Sequence, residues 1–103
     1  MKYFMIRYRF QNGTREQWHG EMARFIAALQ AEPSLKDRIS YRCMKAKQGD
    51  DYFHLAVTAD DGAANDLQGH AWFKHYSEQT KQISGGTVEV VPLEVVAETG
   101  LRL

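Results

Sequence analysis

The chain has 103 residues, 44% of them hydrophobic and 25% charged, with thirteen basic residues against thirteen acidic ones. That length suits one domain with a core of its own. The balance of charge leaves no basic field for a phosphate backbone, so nucleic acid is not an expected partner. No apolar run approaches the roughly 20 residues of a membrane-spanning helix, and the lone Cys43 allows no internal disulfide, which agrees with a reducing, cytoplasmic setting.

The first expected element is a strand over Lys2 to Phe10, with Phe4, Ile6, Tyr8 and Phe10 on one face and Tyr3, Met5, Arg7 and Arg9 on the other. Its arginines and the lack of a small-residue cleavage site argue against a signal peptide. Gln11, Asn12 and Gly13 end it. Thr14 with Gln17 three residues on has the form of a capping box. The helix that follows, to about Ala31, repeats Trp18, Met22, Phe25, Ile26 and Leu29 at three- and four-residue steps and stops before Pro33. Two alternating stretches come next, Arg38 to Ala46 and Tyr52 to Ala59, joined through Gln48, Gly49 and Asp50 as an antiparallel hairpin.

A second helix is expected over Asn65 to Ile83, capped by Asn65 and Gln68. Gly69, Trp72, Phe73, Tyr76, Thr80 and Ile83 share one stripe of it, unusually aromatic and partly polar. Gly85 and Gly86 release the chain into a last strand, Thr87 to Ala97, whose two faces are both apolar in part. The order strand, helix, strand, strand, helix, strand is the split arrangement of a ferredoxin-like α+β fold with a four-stranded antiparallel sheet. One domain over residues 1–98 and a tail at 99–103 are expected.

Two helices on one side of four strands leave the other sheet face uncovered. That face is expected to hold Met5, Met44 and part of the last strand, together with Arg7, Arg9, Arg42 and His54. Its simplest cover is a second copy of the chain, two sheets packing face to face.

With these elements in place, the chain resembles the dimeric α+β barrel proteins related to antibiotic-biosynthesis monooxygenases, and in particular small uncharacterised members of that group. The likeness lies in the element order, in the exit Thr58, Ala59, Asp60, Asp61, in Asn65 and Leu67 at the second helix, and in Trp72 and Phe73 followed by Tyr76. It implies a homodimer and a layer between the second helix and the sheet in which such enzymes bind flat aromatic substrates. Of the histidines common in the quinol-oxidising branch, the two positions here are Leu67 and Trp72. The haem-degrading triad is absent too: Leu67 stands for its Trp, Ser77 for its His, and Arg7 and Tyr8 lie where its first-strand Asn belongs.

Two functions from different classes follow. One is a cofactor-independent monooxygenase acting on an electron-rich, quinol-like aromatic that activates oxygen itself once deprotonated. Its site would be lined by Tyr8, Tyr41, Trp72, Phe73 and Tyr76 with His70 as proton acceptor. The other is a non-catalytic dimeric binding or interaction protein of the same fold, in which those aromatics are core. No metal site is readable, since His70 and His75 lie about 140° apart on a helix and His19 and His54 have no ligand spacing around them. No cofactor is expected, as no glycine-rich loop precedes a helix. Cys43, in mid-strand without a CxxC partner, reads as a small buried hydrophobe.

Overall fold

A computed structural model describes residues 1–100; of the tail expected at 99–103, positions 101–103 lie outside the described residues. The elements are β1 (Lys2–Arg9), α1 (Arg15–Ala31), β2 (Ile39–Lys45), β3 (Asp51–Thr58), α2 (Asp61–Gly69), α3 (Ala71–Ile83) and β4 (Glu89–Leu93). The strands form one antiparallel sheet in the order β2-β3-β1-β4. This is the ferredoxin-like arrangement, with β1 and β3 central and the first and last helical segments packed together over the sheet. No helix among the described residues is long and apolar enough to cross a membrane.

Local chemistry explains most of the boundaries. Thr14 caps α1 by accepting from the Gln17 N–H at 3.3 Å, as the capping box requires. At the far end of α3, the Gly86 N–H bonds back to the Lys81 carbonyl at 2.8 Å. Gly85 and Gly86 take φ of 70° and 95°, a left-handed exit that costs glycine little and other residues more.

The second helix is two helices. The chain is extended at His70, with φ −80° and ψ 137°, so that this residue ends α2 and begins α3. Asp60, not Asn65, is the cap of the first piece: its side chain accepts from the Ala63 N–H at 2.8 Å. Arg38 bonds to both Asp60 and Asp66, tying α2 to the start of β2. Tyr76, Thr80 and Ile83 keep their buried stripe, while Trp72 and Phe73 are half-buried. The last strand is also shorter than expected, ending at Leu93, with Val95 and Val96 beyond it exposed.

Register fixes which residues face the helices. Ile6 lies opposite both His54 and Val90, and His54 opposite Cys43. The inward set of β3 is thus Tyr52, His54, Ala56 and Thr58, all buried, whereas Phe53, Leu55 and Val57 point outward. His54 therefore does not share the outer face with Arg7, Arg9 and Arg42. It lies in the helix-side core, fully enclosed.

Candidate functional site

The inward faces of β1, β2 and β3 meet α3 around this one histidine. Nδ1 of His54 lies 2.9 Å from Tyr41 Oη and 3.1 Å from Tyr76 Oη, and Nε2 lies 2.8 Å from Tyr8 Oη. Behind Tyr8, the indole N–H of Trp18 donates to the same phenolic oxygen at 2.9 Å. Ring packing holds the group rigid. Tyr76 stacks on Phe25 with centroids 4.0 Å apart and on Trp18 at 5.5 Å, and Tyr8 stacks on Tyr52 at 5.3 Å. The strands β1, β2 and β3 thus each supply one polar tip, α3 supplies Tyr76, and α1 supplies the indole that anchors the row.

The hydrogen inventory favours the proton on Nδ1. An indole only donates, and a phenol donates once while accepting up to twice. Were the histidine proton on Nε2, Tyr8 Oη would accept from both His54 and Trp18. Its own hydrogen, on a residue 5% exposed, would then have no acceptor among the described residues. A buried donor left unpaired costs about 1–3 kcal/mol. With the proton on Nδ1, every donor at this end is used: Trp18 to Tyr8, Tyr8 to Nε2, and Nδ1 to the tyrosine oxygens of β2 and α3. Burial pushes the His54 pKa down from 6.5 to about 4, so the ring is neutral at pH 7. Burial likewise raises the phenols of Tyr8, Tyr41 and Tyr76 and the thiol of Cys43. The cluster is uncharged, and its tyrosines keep their protons.

Beside it opens a cavity of about 360 Å³ between the sheet and α2 and α3, a size typical of small-molecule sites. Its floor is His54, Ala56 and Thr58 of β3, and Leu67 and Phe73 stand among its walls. Ala56 is the smallest of the three floor residues, and it leaves flat apolar surface between the histidine end and Thr58. The Thr58 hydroxyl is buried without a partner among the described residues. Gln68 and Lys81, also part of the lining, are exposed at the rim.

Of the residues expected at the site, Tyr41, Phe73 and Tyr76 line this cavity. Tyr8 lies one layer deeper and reaches it only through His54. Trp72 is packed against Phe25 and stacks on His70 at 4.9 Å. His70, at the junction of α2 and α3, is not part of the lining. His54, expected on the uncovered face, is instead on the inward side with Tyr52, Ala56 and Thr58. The available signal was its phase, two residues from Tyr52 and four from Thr58. No group of three or more His, Cys, Asp or Glu residues gathers around a common point among the described residues.

No protein-family model matches the sequence, and no curated protein matches it. Solved structures do. A mutant of SnoaB, described as a cofactor-independent oxygenase from Streptomyces nogalater, superposes with a TM-score of 0.76 at 16% identity, covering 97% of each chain. Rv0793 from Mycobacterium tuberculosis gives 0.76 at 17% identity, over 96% of this chain and 98% of that one. A dimeric ferredoxin-like protein of unknown function from Jannaschia gives 0.70 at 15% identity, over 92% of this chain and all of that one. At such identities the likeness establishes a shared fold, and the chemistry has to be argued from the site.

Proposed function

We propose that this chain is a cofactor-independent oxygenase that binds a flat phenolic aromatic in the cavity and holds it in its ionised, oxygen-reactive form. The observation that carries this reading is the convergence of an apolar cavity of about 360 Å³ on a buried, neutral cluster of His54, Tyr41 and Tyr76. Flat walls fit an aromatic ring system, and phenolic donors fit its oxygen. The fold shared with a structure described as a cofactor-independent oxygenase supports it further. An electron-rich ring gives up its phenolic proton to solvent as it enters, and the anion supplies the electrons that dioxygen accepts. For an anthrone the overall change is a ring methylene becoming a carbonyl. One oxygen atom enters the product, and the other leaves as water with the two methylene hydrogens.

The test is oxygen uptake by chelator-treated protein with an anthrone or a dihydroxynaphthalene. Turnover is expected, and His54→Gln, which disturbs the donors around the substrate oxygen, should lower the rate by about 10²-fold, the scale of a lost oxyanion donor. No oxygen uptake with any such substrate would sink the oxygenase reading. If the aromatic binds nonetheless, the non-catalytic binding protein is what remains.

The second part of the proposal is assembly. The outer sheet face carries Met5, Leu55, Val57, Val91 and Leu93, apolar and incompletely buried, with the Arg7–Glu89 ion pair beside them. A second copy packed there would remove this surface from water. A structure of the same fold is described as dimeric. Light scattering should give twice the 11.8 kDa chain mass. Leu55→Asp, placing an unpaired carboxylate in the middle of the interface, should give the monomer mass, because burying such a charge costs several kcal/mol. A wild-type protein that is monomeric at micromolar concentration would exclude the interface.

A further inference from the structure

With the His54 proton on Nδ1, the hydrogen bonds of the cluster run in one direction. Trp18 donates to Tyr8, Tyr8 to His54 Nε2, and His54 Nδ1 toward the oxygens of Tyr41 and Tyr76. At the end of this row the two phenols also interact with each other. Tyr76 is only 4% exposed, and its hydroxyl lies 3.8 Å from Cys43 Sγ, a weak acceptor. Tyr41 is the more accessible of the pair and lines the cavity. We infer that the Tyr41 hydroxyl, polarised by the row Trp18, Tyr8, His54 behind it, is a preset donor for an anionic phenolate or enolate oxygen of the ligand, and that His54 is a positioning residue and not the base. The inference rests on the cavity being the ligand site and adds to it the charge state of what it takes.

Three features support it. Donors in series strengthen one another in a low-dielectric site. Desolvation keeps the Tyr41 proton in place, so that a more acidic phenol facing it ionises first. The titratable groups around Tyr41 are His54 on β3, Tyr8 on β1, Tyr76 on α3, Cys43 on β2 and, at the rim, Lys81 on α3. The first four are neutral, and none repels an anion.

The test needs no turnover. 4-Nitrophenol, whose phenolate absorbs in the visible, is titrated with pH free and bound to the full chain. In the bound state its proton affinity should fall by about tenfold or more, one pKa unit or above. Tyr41→Phe should abolish the shift. Long-range proton–nitrogen NMR on the wild type should show the His54 proton on Nδ1. Tyr8→Phe, which never touches the ligand, should release that tautomer and reduce the shift while the protein stays folded. A proton found on Nε2 overturns the inference without any variant. So does failure of the phenolate to bind, a bound probe with unchanged or raised proton affinity, or a shift that survives Tyr41→Phe. Phenolate bound with its proton affinity lowered, but with no oxygen uptake by any aromatic, would leave this inference standing and remove only the oxygenase reading.

Discussion

Trp18→Ala should destabilise the fold by about 3–5 kcal/mol, the range for emptying a large aromatic site in a packed core. The indole is 2% exposed, stacks on Tyr76 and meets Tyr8 edge-on at 6.1 Å. Its removal opens a cavity between α1, α3 and the sheet and strips the Tyr8 oxygen of its donor at once. For a domain of this size each kcal/mol moves the melting temperature by about 4–8 °C, so thermal unfolding should begin some tens of degrees lower. Trp18→Phe keeps most of the packing and loses the N–H, and should fall well short of that loss. An alanine variant within about 1 kcal/mol of wild type would show that the cluster does not hold the helices to the sheet.

Acid should unfold the protein earlier than its carboxylates alone require. His54 binds a proton more weakly when folded, at a pKa of about 4 against 6.5 for the free side chain. A depressed folded pKa contributes stability that is fully present above pH 6.5 and is lost as the pH falls through that window toward 4. The loss amounts to about 3 kcal/mol at most. Chemical denaturation at steps between pH 7 and 4 should show this slope, and His54→Gln should flatten it. The carboxylates of Glu21 and Asp60 are held below their usual range, by the bond to Arg24 and by the Ala63 N–H respectively. Their titration follows at lower pH and does not account for the upper part of the window. An identical slope in wild type and His54→Gln would mean that folding does not lower the proton affinity of this histidine.

Both results bear on the aromatic core around His54. Local chemistry was legible in the sequence. Alternation set β1, β2 and β3, Thr14 and Gln17 set the start of α1, the two glycines set the end of α3, and the order of elements set the ferredoxin-like topology, because each depends on residues within a few positions of one another. The break at His70 was not legible, since the aromatic stripe runs through it and only the backbone shows that the chain is extended there. Nor was the inward side of β3. Both of its faces are rich in apolar residues, and the sequence alone put His54 on the uncovered face. Pairing to β1 and β2 decides otherwise: a strand's side chains alternate strictly, so a register that turns Ile6 and Cys43 toward the helices turns His54 with them. The sequence by itself determined that Tyr8, Tyr41 and Tyr76 belong to the layer between helices and sheet. Only the tertiary structure decided that they converge on a buried histidine, because those four residues come from four separate elements, and hydrogen bonds between them have no trace in local spacing.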